Sequence, residues 1–266
     1  MAIQEGYSGF TGSMGVISAY RMRGHDKIIM RGKGGASKGK IKTSPDFETT
    51  RNLNSEWKAV TRASSDIRSG LYSLKPLADY NTSGPVNAIV KKIQTADTDR
   101  PKGKRSILFS RQPDFLSSFQ FNRKTLFDSV IRQPLSVTID PSVVMVEAVI
   151  PALTPGINFF PNPRYAYCQL VLALTSVSDY SFDETSDKFN AVCPKMPEYG
   201  AVFTAWVPVN MPQPSATYRL EPIITQPLVP GMIRVFGAGI QYGMPAADGS
   251  IQPVPYSGSA RILKSV

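Results

Sequence analysis

Ala166-Tyr-Cys-Gln-Leu-Val-Leu-Ala-Leu-Thr175 is the stretch on which the fold turns. Read at a period of two, it sets Cys168, Leu170, Leu172 and Leu174 on one side of a strand, with Gln169 and Thr175 on the other. Residues 135–139, 143–149, 201–209, 217–225, 233–242 and 260–263 share that β-prone character. Proline- and glycine-rich turns separate them, and Asp248-Gly249 before Ile251 predicts a further hairpin. The region 118–266 therefore reads as an antiparallel β-sandwich, Ig-like or jelly-roll-like.

Upstream the period changes. Ser44-Pro45-Asp46 predicts a helix start, with a hydroxyl cap, proline in the first turn and an early acid. Phe47, Leu53, Trp57, Val60, Ile67, Leu71 and Leu74 follow on one helical side, with Gly70 and Pro76 as stop signals. Val86, Ile89, Val90 and Ile93 mark a second helix after Gly84-Pro85, and 97–105 is a polar break. These residues make 44–117 a short helical section. Glu48 and Glu56 give its first helix a mixed charge.

Residues 1–43 read as a β-hairpin with a basic arm. Glycine at positions 6, 9, 12 and 15 suits a bent strand or bulge, and strand-like runs at 16–22 and 27–31 flank a polar link. From Arg31 to Lys42, cations alternate with glycines and no acid intervenes. Alone in water such a segment has little to bury, so it is expected to be extended and mobile until something pins it. The whole is an α+β chain.

Charge sharpens the picture. The 266 residues carry a formal net charge of +10, divided as +11 in residues 1–113 and −1 in 114–266. Such asymmetry marks a surface for polyanions or an acidic partner. The candidate contact residues are Arg21, Arg23, Lys27, Arg31, Lys33, Lys38, Lys40 and Lys42, joined by Arg51, Lys58 and Arg62 on one stripe of the first helix. They could neutralise phosphates without sequence preference. An acidic loop with Asp179, Asp183, Glu184 and Asp187 offers a basic arm of a neighbouring copy a complementary surface.

Reactive constellations are thin. Gly34-Gly35-Ala36-Ser37-Lys38-Gly39-Lys40 fits seven positions of a phosphate-binding loop, but Ile41 stands where the hydroxyl that holds Mg²⁺ belongs. His25 is the single histidine and lies in a polar link, so no triad is proposed. Cys168 and Cys193 lack the further ligands of a zinc site, and the acidic loop lacks the residue order of a calcium loop. No catalytic residue, cofactor or metal is assigned. The longest apolar candidate, 143–153, is cut by Glu147 and Pro151, so no membrane span is expected. The start lacks the pattern of a secretory signal, and two cysteines suit a reducing compartment; the expectation is a cytoplasmic or virion protein.

The opening Gly9-Phe-Thr-Gly12-Ser-Met-Gly15-Val-Ile-Ser-Ala-Tyr20, followed by Ile28-Ile-Met-Arg31-Gly-Lys-Gly-Gly35, resembles uncharacterised Bacteroidota proteins. Those pair a Gly-x-x-Gly strand with a second strand running into a Lys-Gly-Gly segment. Ser44-Pro-Asp-Phe47 and Thr50-Arg-Asn52 are similar too, so the likeness covers about the first 60 residues. It implies a bacterial or phage setting and no activity. The functional expectation is a non-enzymatic structural protein that self-assembles into a filament, shell or phage-type particle, with the basic arm ordered by neighbouring subunits. A nucleic-acid-binding protein is the first alternative. The second is a β-sandwich ligand-binding module using Tyr165, Tyr167, Tyr180 and Tyr199.

Overall fold

The computed structural model describes residues 2–5, 9–22, 26–117, 119–139, 145–193, 199–220 and 229–266. The chain divides into two compact units, 1–51 and 52–266.

In the first unit, β1 (Ala2–Glu5), β2 (Gly9–Met14), β3 (Ile17–Arg21) and β4 (Ile28–Gly32) run antiparallel in that spatial order. The expected hairpin is thus the outer half of a four-stranded meander. Gly15, with φ of +54°, makes the tight reversal between β2 and β3, a conformation that a side chain disfavours. The arm is not extended throughout, since α1 occupies Lys38–Thr43. Its N-terminus is capped by Ser37, whose hydroxyl accepts from the Lys40 amide at 3.2 Å. Ser44-Pro45-Asp46 opens a 3₁₀ turn, Pro45–Phe47, before α2 (Glu48–Gly70) begins. The Ser44 hydroxyl donates to the Asp46 carboxylate at 3.1 Å and leaves the helical amides uncapped.

The second unit continues from Asn52 along α2. A 3₁₀ turn (Tyr72–Leu77), which contains Pro76, leads to α3 (Ser83–Thr95). Two short 3₁₀ turns, Phe109–Arg111 and Pro113–Phe115, and the single-turn α4 (Phe127–Val130) complete the helical part. The strands follow: β5 (Ser136–Ile139), β6 (Val146–Ile150), β7 (Tyr167–Ser178), β8 (Tyr180–Asp183) and β9 (Lys188–Ala191). After them come β10 (Tyr199–Phe203), β11 (Val207–Pro208) and β12 (Ala216–Leu220). The last three are β13 (Met232–Pro245), β14 (Ile251–Pro253) and β15 (Ser259–Ser265). The six-stranded sheet has the path β10-β7-β13-β14, with β11 beside β7 and β15 beside β13. A three-stranded sheet runs β12-β6-β5, and β8 pairs with β9.

Strand β7 is apolar along most of its length because both of its faces are covered. Val171, Ala173 and Val177 pack with Val60, Ile67 and Leu74 of the helical section. Leu172 and Leu174 pack with Val146, Ala148 and Ile150 of the smaller sheet. Helices and strands therefore share a core. The polar face expected at Gln169 and Thr175 does not exist. Thr175 is buried, and Gln169 donates across to Gln241 of β13 at 2.7 Å.

Close approach of the helical layer needs missing side chains. A Cβ at Gly237 of β13 would lie 2.7 Å from Leu74 Cδ1, and one at Gly239 would collide with Leu77 Cδ1. Trp57, expected in the core stripe, is 48% exposed. Glu56, legible in sequence only as part of the helix's mixed charge, is fully buried. It accepts from Arg105 Nε and Nη2 at 2.9 and 2.8 Å, from Lys91 Nζ at 2.7 Å and from the Gly103 amide at 2.7 Å. This fastens the polar break at 97–105 to two helices. No helix among the described residues is long and apolar enough to cross a membrane.

Candidate interaction surface

The register of the N-terminal sheet sorts its side chains. Met14 faces Ile17, Ile17 faces Gly32, and Ala19 faces Met30, so these share a face with Phe10 and Ile28 two positions along. That face is mostly apolar and open, with Met14 58% exposed, Met30 57% and Ile17 36%, and the exposed Arg21, opposite Ile28, stands at its end. Ala19 is the one side chain fully buried among those described in residues 9–51. The opposite face carries Ser13, Ser18, Tyr20, Ile29 and Arg31, and the Arg31 guanidinium lies 5.7 Å from the Tyr20 ring centre. Among the described residues β4 pairs only with β3, so its outer backbone edge is free to accept another strand.

The basic residues divide by role. Lys33 staples the sheet: its amide donates to the Val16 carbonyl at 2.5 Å and its Nζ to the Gly15 carbonyl at 3.1 Å. Arg51 is spent on α1, donating to the carbonyls of Ile41 and Ser44 at 2.9 and 2.8 Å. It satisfies helix-end acceptors and does not join a phosphate-binding stripe with Lys58 and Arg62. Arg62 lies 5.8 Å from the Tyr180 ring centre, and Lys58 is exposed. Arg21, Lys27, Lys38, Lys40 and Lys42 are exposed. Arg23 and His25 lie outside the described residues.

The acidic loop is not a patch. Asp179 is 3% exposed and accepts from the Ser110 amide at 3.0 Å and from its hydroxyl. Burial pushes its carboxyl above the usual range, against the pull of those hydrogen bonds. Asp183 ends β8 and accepts from the Ser186 hydroxyl at 2.6 Å and the Thr185 amide at 3.0 Å, which hold its carboxyl low. Glu184 pairs with Lys104 at 2.6 Å, and Asp187 holds a positive φ of 53° in the turn to β9. The acidic loop is a β-hairpin in which Asp179 is buried and Asp183 is held by its own turn, while Glu184 and Asp187 remain exposed.

The tyrosines proposed as a ligand platform also fall apart. Tyr180 is buried, its hydroxyl donating to Asp66, and Tyr165 stacks on Tyr242 with ring centres 5.0 Å apart. Tyr167 is half-buried and the Tyr199 side chain lies outside the described residues. Cys168 is in the core, as its alternation predicted. The apolar face of the N-terminal sheet was missed, because its glycines and cations drew attention from the period-two spacing of Phe10, Gly12 and Met14 and of Ile28 and Met30.

Comparison with protein-family models, curated proteins and solved structures found no match to this chain.

Proposed function

We propose that this protein is a non-enzymatic structural subunit that self-assembles into a homopolymer, a filament, shell or phage-type particle, through its N-terminal unit. The observation that carries the reading is the uncovered apolar face at Met14, Ile17 and Met30. A sheet with one apolar face needs a second layer. Ordering each residue costs about 1–2 kcal/mol of backbone entropy, and a single buried alanine cannot offset that for a meander. A neighbouring copy supplies both the missing layer and a strand for the free edge of β4. The exposed cations of α1 keep the N-terminal unit attractive to polyanions, so nucleic acid is a second ligand class to be watched for. The two facing sheets of the second unit are read as a sandwich body that carries this arm.

Light scattering coupled to size exclusion, with absorbance recorded at 260 and 280 nm, tests the reading. The full chain is expected to run as a multimer free of nucleic acid. Met14→Lys with Met30→Lys is expected to run as a monomer whose second unit still unfolds cooperatively. A wild-type monomer at high concentration would overturn the proposal, as would a multimer indifferent to both substitutions.

A further inference from the structure

Between the edge strands of the two sheets in the second unit lies a slot of about 220 Å³. Leu153, Phe159 and Cys168 line it, with Val207 of β11 in the larger sheet and Ala216 and Tyr218 of β12 in the smaller. The register explains why β12 contributes. Ala216 faces Ile150 and Tyr218 faces Ala148, and both partners point into the core between the sheets. At the other wall Thr204 interrupts the edge: its hydroxyl accepts from the Leu170 amide at 2.9 Å and so holds β10 and β11 apart.

The lining chemistry narrows the occupant. Among the described residues no Asp, Glu, Lys, Arg or His lines the slot, so an ion would lose its hydration there without compensation. The Cys168 thiol stays neutral, pushed up to about 12 by burial. Enclosed apolar cavities of about 150 Å³ take benzene-sized molecules, and this slot is large enough for one while opening to solvent beside the exposed Ala205 and Pro214. The polar groups of Thr204 and Gln213 have work already, donating to the Ala205 and Met211 carbonyls at 3.3 and 3.1 Å. The Tyr218 hydroxyl has no hydrogen-bond partner among the described residues. We propose that this slot is a binding site for a small neutral ring compound bearing one hydrogen-bonding group, the ring held between the sheets and the polar group held by Tyr218. The slot is built from the second unit alone, and ligand binding and oligomeric state are read separately, so the failure of one proposal is distinguishable from the failure of the other.

The test titrates the full chain with phenol, benzene and benzoate, followed by calorimetry and by thermal unfolding. Phenol is expected to bind one to one and about tenfold more tightly than benzene, the worth of one hydrogen bond. Benzoate is expected not to bind. Tyr218→Phe should erase the preference for phenol and leave benzene unchanged. Ala216→Phe fills the slot and should abolish both; if that variant fails to fold, Ala205→Leu narrows the other wall instead. The absence of saturable phenol binding would overturn the proposal. So would binding that persists in a folded slot-filling variant. A slot-filling variant that turns a multimer into a monomer, with no phenol bound by the wild type, would make the slot a socket for a second copy's side chain and would sink the small-molecule reading.

Discussion

Glu56→Gln should remove the pH dependence that one buried carboxylate imposes on the second unit. Burial by itself would raise the Glu56 pKa, but hydrogen bonds from Arg105, Lys91 and Gly103 outweigh it and lower the group from 4.5 to about 2. A folded-state value below the unfolded one means stability that is fully present above pH 4.5 and lost as pH falls towards 2. At about 1.4 kcal/mol per unit, the interval corresponds to roughly 3 kcal/mol at neutral pH. That figure is an upper bound. The Lys91 side chain is 29% exposed and Arg105 15%, so water screens part of the interaction. The glutamine variant keeps the shape but leaves two cations facing a neutral amide. Urea unfolding of both proteins from pH 7 to pH 2 isolates the effect, because carboxylates common to both cancel in the difference. The wild type should exceed the variant by about 2–3 kcal/mol at pH 7, and the gap should close between about pH 4.5 and 2. A gap that stays constant over that range would refute the reasoning: Glu56 would then stabilise by shape alone.

Two further outcomes follow from the core. Alkylation with iodoacetamide at pH 8 should modify Cys193 while sparing Cys168, whose burial pushes it to about 12, until denaturant exposes both thiols; mass spectrometry reads the count. Gly237→Val should cost about 2–4 kcal/mol in urea unfolding, because its side chain must displace Leu74 from the sheet; a loss under about 1 kcal/mol would mean that the helical layer yields easily.

Much of the architecture was legible because it is local. The Asp248-Gly249 turn is present, with Gly249 at φ of +82°, and joins β13 to β14. The end of α2 at Gly70 and the start of α3 beside Gly84-Pro85 follow from residue chemistry within one or two turns. The division of 201–209 into β10 and β11 was not legible, since Thr204 breaks the strand by bonding to Leu170, a residue distant in sequence. The β8–β9 hairpin was missed for a related reason. Its acids suggested solvent, while Tyr180, Phe182 and Phe189 anchor it in the core.

The candidate surface shows the same divide. Alternation, turn glycines, mixed α+β content and the placement of excess positive charge in the first 113 residues are properties of neighbours along the chain, and sequence determined them. Which carboxylate is buried, which arginine caps a helix and that both faces of β7 are covered were decided by packing. Glu56 meets Arg105 forty-nine residues away, and Asp179 meets Ser110 across sixty-nine. Spacing tells a side chain which way to point from its own backbone. Only the assembled layers determine what stands opposite, and burial and hydrogen bonding then set the side chain's charge and exposure.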